Sequence, residues 1–154
     1  MNNAESLAEI CHFLREQHVL TLCAKCGEDV WCANCFYFFA QDKMALYLMT
    51  EPTTHHAKLM QINSQVVGTI ANQPHQIELI KGIQYRGDIT VLTKERDTSM
   101  RKRYCHRFPA AKGATTPLWQ LCLREIKMTN NALGFAEKLF WRRGSCESIK
   151  MKPA

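Results

Sequence analysis

The chain of 154 residues lacks the features that mark membrane-spanning, exported and disordered proteins. No stretch approaches the roughly 20 apolar residues that a membrane-spanning helix needs. The first residues carry acids at Glu5 and Glu9, with no basic region before an apolar core, so no secretory signal is expected. Internal repeats, low-complexity tracts and linkers are also missing. We therefore expect a cytoplasmic protein folded as a single domain over residues 1–154, with no membrane partner.

What is present is an ordinary globular composition with an uneven charge. Hydrophobic residues make up 46% of the chain and charged residues 22%, so a sizeable core can be buried. The net charge is +6, yet residues 1–80 hold four Lys/Arg against eight Asp/Glu, whereas residues 81–154 hold sixteen against six. A basic second half suits nucleic acid, a phosphorylated small molecule or the acidic face of a partner, and charge alone does not distinguish them.

Hydrophobic periodicity predicts a helix followed mainly by strands. Residues 3–17 form an amphipathic pattern that Asn2 or Asn3 can cap. Alternation and turn residues predict strands at 19–25, 30–39, 44–49, 65–72, 76–80, 83–93 and 118–128. Helices are predicted at 53–62 and 94–108, and residues 131–141 fit either strand or helix. Gly82 and Gly87 are expected to mark bends or bulges.

Six or seven strands joined by short turns predict a mainly β (α+β) fold. With few interposed helices, the expected architecture is an antiparallel β-barrel with peripheral helices. The N-terminal helix then covers about residues 3–17, the barrel about 18–128, and a C-terminal segment about 131–141.

Two C-x-x-C pairs, Cys23 with Cys26 and Cys32 with Cys35, form the most conspicuous local pattern. Four thiolates can bind zinc, but the usual spacer between pairs is ~15–20 residues, and here it is five. Residues three positions apart on a strand point to opposite faces, so the four sulfur atoms converge only if both strands break their alternation. We therefore favour small apolar residues of a hairpin over a metal site. With no export signal, all eight cysteines are expected to remain thiols.

The most basic segment runs from Arg101 to Arg107 and contains Tyr104. Such a run can follow a phosphate backbone while the aromatic ring stacks on a base. The alternative is a solvated helix face whose tyrosine lies in an apolar seam with Met100 and Phe108. We favour the helix face, so a nucleic-acid partner is not expected.

A helix start after the third predicted strand offers an anion site. The strand ends at Thr50, and Pro52 breaks the chain. N–H groups at a helix start lack intrahelical partners and lie at the positive end of the helix dipole, which suits a phosphate. Hydroxyl, imidazole and ammonium groups gather there: Thr53, Thr54, His55, His56 and Lys58. The same residues also suit a turn and an N-capped surface helix.

Taken in chain order, these predicted elements resemble the pyridoxamine 5′-phosphate oxidase-like, FMN-binding split-barrel superfamily. The shared order is an N-terminal helix, a hairpin, the strand ending at Thr50, a helix opening at Thr54, and two strands of which the second ends near Gly87. The chain is most similar to the bacterial YhbP-like group, UPF0306. Four phrases carry that match: Glu16-Gln17-His18-Val19, Trp31-Cys32-Ala33-Asn34, Arg107-Phe108-Pro109 and Leu133-Gly134-Phe135.

The resemblance implies a Greek-key split barrel and a homodimer with flavin mononucleotide (FMN) between its subunits. The family's oxidases carry a Thr-Asn-x-x-Ser-Arg-Lys stretch whose Arg and Lys take the flavin phosphate. Aligned on Thr50, this chain has Thr54 at the Ser, His55 at the Arg and His56 at the Lys, with Lys58 two residues on. Imidazole is only partly protonated near neutrality, so weak phosphate binding is implied.

The resemblance also implies a pocket for the flavin ring. The family's arginine on the preceding strand falls at Asn34, and its flavin-contacting glutamine falls at Gly82, with Gln84 two residues along on the same strand face. The ring pocket is then implied at Asn34, Phe36, Leu48 and Met49, with Gln84 nearby. No residue stands out as a general acid or base.

Two functions follow from the resemblance. The first is an FMN-binding flavoprotein, with oxidoreductase chemistry on a small-molecule substrate as a further expectation, in which the flavin carries the redox chemistry. The alternative is a non-catalytic ligand-binding or interaction protein on a degenerate split barrel with no tightly bound flavin, because one fold hosts many functions.

Overall fold

The structure is a computed structural model that describes residues 2–134 and 137–144. Phe135, which belongs to one of the four phrases, lies outside the described residues. The described elements are, in chain order, α1 Asn3–Glu16, β1 Val19–Cys26, β2 Asp29–Ala40, β3 Ala45–Met49, α2 His55–Ile62, β4 Gln65–Ala71, β5 Lys81–Val91, α3 Lys94–Arg107, β6 Leu118–Asn130 and β7 Lys138–Arg142. Short 3-10 turns lie at Ile77–Leu79, Pro109–Ala111 and Asn131–Leu133.

The strands form one antiparallel sheet that closes into a barrel. Their order is β3-β2-β1-β4-β5-β6-β7, and β3 also pairs with β6. Strand β6 pairs with β3 through its first half, Leu118 to Cys122, and with β7 through its second half, Glu125 to Thr129. Because β4 lies beside β1 rather than β3, the connection is of the Greek-key type. The predicted antiparallel Greek-key barrel with peripheral helices is confirmed.

Local sequence explains the first elements. The side chain of Asn2 accepts a hydrogen bond from Glu5 N, and the side chain of Glu5 accepts one from Asn2 N, which together cap α1. The β1–β2 hairpin turns at Gly27, whose φ of 62° is a conformation that glycine adopts without steric cost. Cys26 lies opposite Asp29, so only two residues connect the strands.

The core has two parts, on the two sides of the barrel wall. Inside, apolar residues of the strands pack with residues of α1 and α2, among them Leu20, Leu22, Leu46, Leu48, Leu121 and Leu123. Outside, α3 lies on β2, β3 and β6, where Met100 and Tyr104 are buried against Tyr47 and Leu118. The predicted apolar seam of α3 is therefore confirmed, as is the alternation of β6, with Leu121 and Leu123 facing the interior.

The remaining outer surface of the sheet carries alternate side chains of β1, β2, β4, β5 and β6. We call it the outer sheet face. One row in register across the strands is Asn34, Thr21, Thr69, Gln84 and Lys127. The adjacent row is Cys32, Cys23, Val67, Arg86 and Glu125. This face is accessible, since Phe36 and Val67 are 54% and 51% exposed.

The structure corrects the prediction for one segment and decides between strand and helix for another. Residues 76–80 were predicted to be a strand and instead contain the 3-10 turn Ile77–Leu79. The reason is Asn72, whose amide donates to Leu79 O and accepts from Lys81 N, so the backbone of this loop is held locally. The ambiguous C-terminal segment contains the 3-10 turn Asn131–Leu133 and strand β7. The bulge expected at Gly87 is confirmed by a register shift between Arg86 and Gly87.

The prediction that every cysteine remains a thiol is wrong for one pair. Cys23 and Cys32 form a disulfide, with Cα atoms 4.2 Å apart. The cause is register, since the two residues lie directly opposite each other in the β1–β2 ladder. Cys26 instead lies opposite Asp29, and Cys35 lies opposite Leu20.

Within the described ranges, no group of three or more His, Cys, Asp or Glu side chains is placed to hold a metal ion. In the same part of the chain, the helices are too short or too polar to cross a membrane.

Candidate functional site

The start of α2 is fixed by the turn that follows β3. Thr54 is the cap residue: its hydroxyl donates to Glu51 O at 2.8 Å, and its oxygen accepts from Ala57 N at 3.3 Å. Pro52 lies within this turn and prevents the strand from continuing. The helix therefore begins at His55, close to where β3 ends.

Three polar side chains meet at this helix start, and we call them the α2 cluster: Thr50, Thr54 and His56. His56 Nε2 lies 2.7 Å from Thr50 Oγ1 and 3.3 Å from Thr54 Oγ1. Thr50 is only 7% exposed. Its backbone is held by the start of β6 and the residue before it, because Trp119 Nε1 donates to Thr50 O at 3.0 Å and Thr50 N donates to Pro117 O at 3.3 Å. The cluster therefore sits where β3, β6 and α2 converge.

The formal positive charge at this site is low. Burial, and secondarily the neighbouring His55, hold the pKa of His56 below the usual imidazole range, so His56 is neutral near neutrality. His55 Nε2 lies 2.9 Å from Asp29 Oδ1, and its ring meets the edge of Trp31 at 4.9 Å. The carboxylate offsets any charge on His55. Lys58, exposed and one turn beyond Thr54, is the remaining cation among the predicted phosphate residues.

Asn34 and Gln84 lie in one row of the outer sheet face. Thr21 separates Asn34 from β4, and its hydroxyl donates to Asn34 Oδ1 at 2.7 Å. Thr69 then lies between Thr21 and Gln84 in register. The two predicted ring-contacting residues therefore share a face, with two strands between them.

Phe36 belongs to the same outer surface and to an aromatic group. Its ring stacks on His18 at 5.7 Å and meets Phe108 edge-on at 5.5 Å. Met49 packs on the outer cluster under α3. Leu48, in contrast, is fully buried in the barrel interior, so the barrel wall separates its side chain from the predicted residues on the outer side of the sheet.

Sequence reasoning missed the residues that hold the site in place. Trp119 fixes Thr50, Asp29 pairs with His55, and Thr21 orients Asn34. Asp29 and Thr21 lie in predicted strands or turns near the site, but no local pattern marks them. Trp119 follows Thr50 by 69 residues, and only the β3–β6 pairing brings them together.

The donors at the start of α2 suit a phosphate group. Thr50 offers a hydroxyl, His56 an imidazole and Lys58 an ammonium, beside the first N–H groups of the helix. A bidentate guanidinium is missing from this set, and only one of the side chains is a permanent cation. The residues therefore fit a flavin phosphate, with weaker attraction than an arginine and a lysine would supply.

Solved structures share this fold at low sequence identity. A heme binding protein from Mycobacterium smegmatis has a TM-score of 0.72, with 13% identity over 92% of this chain and 58% of that chain. An FAD binding protein from the same organism has a TM-score of 0.62, with 13% identity over 87% and 95%. A putative pyridoxamine 5′-phosphate oxidase from Listeria innocua has a TM-score of 0.62, with 15% identity over 84% and 100%. The protein thus has the antiparallel split-barrel fold of these solved structures.

Sequence relatives define the family. A UPF0306 protein of Yersinia enterocolitica is 63% identical over 143 residues, which cover 93% of this chain and 97% of the relative. A UPF0306 protein of Yersinia pseudotuberculosis is 60% identical over the same shares. The chain belongs to the UPF0306 family. No protein-family model matches the sequence.

Proposed function

We propose that the protein binds FMN as a homodimer, with the ligand pocket at the subunit interface, and acts as an oxidoreductase on a small-molecule substrate. The α2 cluster carries the proposal, because hydroxyl and imidazole groups meet at a helix start directly after a barrel strand. When bound, the flavin would supply the electron-transfer chemistry. The protein's residues supply binding and orientation.

The roles of the phosphate-binding residues follow from their hydrogen bonds. Thr54 is committed to the turn, since its hydroxyl already donates to Glu51 O, and it therefore positions the helix start. Thr50 and His56 share a hydrogen bond that an incoming phosphate oxygen can join. Lys58 supplies the permanent charge, and the carboxylate of Asp29 offsets any charge on His55.

The ring-binding residues are proposed on the outer sheet face. Asn34 and Gln84 offer amide groups from one row, and Phe36 and Met49 offer apolar surface near the end of β3. Leu48 would contribute through its backbone alone, because its side chain is buried in the barrel. Solved neighbours described as FAD binding and heme binding support a planar aromatic ligand on this fold, by analogy.

A second candidate is a non-catalytic ligand-binding protein without a tightly bound flavin. The low charge of the α2 cluster favours it, because a neutral His56 and a His55 offset by Asp29 attract a phosphate dianion weakly. The two candidates make different predictions for phosphorylated and unphosphorylated flavin.

Titration of the purified protein with FMN and with riboflavin, followed by flavin fluorescence and the visible absorption band, tests the proposal. FMN is expected to bind at micromolar concentration and riboflavin more weakly, because riboflavin lacks the phosphate. Lys58→Gln is expected to weaken FMN binding about two- to fivefold, the scale of one exposed charged contact. Lys43→Gln is the matched control, since Lys43 is exposed at the opposite end of β3. Absence of quenching and of a band shift at micromolar FMN would refute flavin binding.

Equal binding of FMN and riboflavin would place the phosphate away from the α2 cluster. Removal of the imidazole in His56→Gln is also expected to weaken FMN binding, because His56 shares its hydrogen bond with Thr50 at the proposed phosphate site. Unchanged FMN affinity in His56→Gln would remove His56 as a phosphate ligand. Light scattering tests the dimer, and a monomeric mass at working concentration would contradict it.

A further inference from the structure

The Cys23–Cys32 disulfide joins neighbouring strands on the outer sheet face. The two cysteines are directly opposed in the β1–β2 ladder, nine positions apart in sequence. The ladder continues on both sides of them, where Leu22 pairs with Ala33 and Ala24 with Trp31. The backbone hydrogen bonds of the hairpin therefore hold the two Cβ atoms face to face whether or not the sulfur atoms are bonded. Opening or closing this bond requires only side-chain rotation.

We propose that Cys23 and Cys32 form a reversible dithiol–disulfide centre that exchanges with low-molecular-weight anionic thiols. A disulfide whose main role is stability usually joins segments that are otherwise free to separate. Here the strands are already paired, and one of the two cysteines, Cys32, is exposed, which is typical of exchangeable disulfides. The proposal does not rest on flavin binding.

The two sulfur atoms have different surroundings. Cys32 is exposed, whereas Cys23 is partly buried beside Val67 and lines a cavity of about 460 Å³ with Lys25 and Arg86. Accessibility directs an attacking thiolate to Cys32 Sγ. The cavity also holds Arg124 and the carboxylate of Asp88, so its lining carries a net positive charge, which favours the departure of Cys23 as a thiolate. Arg86 is paired with Glu125 at 3.0 Å and Arg124 with Asp88 at 2.6 Å. Lys25 is therefore the cation best able to attract a carboxylate of the incoming thiol.

The exchange consumes two external thiols and needs no other oxidant or reductant. The external thiolate bonds to Cys32 Sγ, the Cys23–Cys32 bond breaks, and Cys23 takes a proton from water. A second thiolate then attacks the external sulfur of the mixed disulfide, and Cys32 is released and protonated. Two thiol molecules are oxidised to one disulfide, and the protein disulfide is reduced to a dithiol. A low-molecular-weight disulfide drives the reverse reaction.

Other cysteines of the hairpin do not share these features. Cys26 lies opposite Asp29, and Cys35 lies opposite Leu20. Burial raises the pKa of Cys35 to about 11, so its thiol stays protonated and unreactive near neutrality. Cys26 therefore offers a matched control on the same strand as Cys23.

The test is a redox titration of the full-length, folded protein in glutathione buffers of increasing oxidised fraction. Samples are quenched in acid and alkylated, and each cysteine is assigned by peptide mass. Cys23 and Cys32 are expected to convert together, from both alkylated to both protected, in wild type and in Cys26→Ser, with an unchanged far-UV spectrum. A disulfide that persists in excess reduced glutathione until the protein is unfolded would overturn the proposal. So would two alkylated thiols in excess oxidised glutathione.

Two variants test the assigned roles. In Cys23→Ser, Cys32 is expected to accumulate the glutathione adduct, whereas Cys23 in Cys32→Ser should accumulate it several times more slowly. Lys25→Gln is expected to slow exchange with the anionic thiol glutathione about two- to fivefold, the scale of one exposed charge contact. Exchange with the cationic thiol cysteamine is not expected to slow. Equal adduct formation at the two sulfur atoms would overturn the assignment of Cys32. An unchanged glutathione rate in Lys25→Gln would overturn the preference for anionic thiols.

Discussion

Substitution of Gly68 by alanine is expected to destabilise the barrel, because the ring of Tyr85 crosses the space above Gly68. Tyr85 on β5 reaches over β4, and its hydroxyl donates to Thr21 O on β1 at 2.9 Å. A Cβ atom at Gly68 would lie 2.5 Å from Tyr85 Cζ, and closer still to Tyr85 Oη and Thr21 O. Real Cβ atoms do not approach other atoms this closely, so the ring or the backbone must move.

The magnitude follows from three contributions. Overpacking of this kind costs about 1–3 kcal/mol. Displacement of the ring breaks the hydrogen bond to Thr21 O and leaves a buried phenol unpaired, which costs about 1–3 kcal/mol more. Loss of backbone freedom in the unfolded chain returns about 0.4–1 kcal/mol. We expect the free energy of unfolding of Gly68→Ala to fall by about 2–4 kcal/mol.

Urea unfolding measures this loss as a lower midpoint with an unchanged slope. The matched control is Gly82→Ala on β5, where the nearest atom to an added Cβ is Ile70 O at 3.6 Å. That variant is expected within about 0.5 kcal/mol of wild type. Tyr85→Phe keeps the ring and isolates the hydrogen bond, at a cost of about 1–2 kcal/mol. The reasoning is refuted if Gly68→Ala unfolds at the same midpoint as Gly82→Ala.

Stability is expected to fall as the pH drops from about 6.5 towards the lowered folded pKa of His56, because the unfolded chain binds this proton first. His56→Gln should flatten that part of the profile of urea midpoint against pH, and an unchanged slope would contradict a buried, neutral imidazole. Leu48→Ala is expected to cost about 2–5 kcal/mol, as a fully buried leucine does; a loss under about 1 kcal/mol would contradict its placement inside the barrel. Reduction of the Cys23–Cys32 bond should cost at most about 2–3 kcal/mol, since it closes a short loop. Urea unfolding with and without reductant measures this cost. A larger loss in the free energy of unfolding would mean that the pairing of β1 with β2 depends on the disulfide bond.

The barrel could be predicted largely because the alternation of apolar and polar residues marks its strands in the local sequence. The alternation of Leu121 and Leu123 with Cys122 and Arg124 predicts β6 and its faces, and the structure has both. The segment 76–80 has the composition of a strand, but Asn72 supplies hydrogen bonds that favour a turn, and a propensity argument does not include them. Local composition is a weak guide where one side chain satisfies several backbone groups.

The disulfide was not predicted because the expected register of the β1–β2 hairpin differs from the observed register by one residue. A three-residue turn at residues 27–29 would place Cys26 opposite Val30 and Cys23 opposite Ala33. The observed turn has two residues, and this pairs Cys23 with Cys32. A slip of one position exchanges every side chain with the other face of the sheet, so the cysteine pair becomes visible only when the turn is known.

The candidate site was predictable only in part, for a related reason. Thr50, Thr54 and His56 are within seven residues of one another, and their helix-start pattern could be recognised locally. The supports of the site, Trp119 for Thr50 and Tyr85 for the Thr21 strand, depend on pairing between distant strands. Whether the side chain of Leu48 points into the barrel also depends on the direction in which the sheet curves and closes, which the local sequence does not give.

The position of the α2 cluster at the junction of β3 and β6 has a consequence for the order of folding. The contact between Trp119 and Thr50 spans 69 residues, whereas the β1–β2 hairpin closes over two. Closing a long loop is entropically costly and slow, so the β3–β6 junction is expected to form late. An anion that binds Thr50 and His56 would then bind only closed barrels. Amide hydrogens of Leu121 and its neighbours should exchange more slowly when such a ligand is present, and those of the hairpin should not.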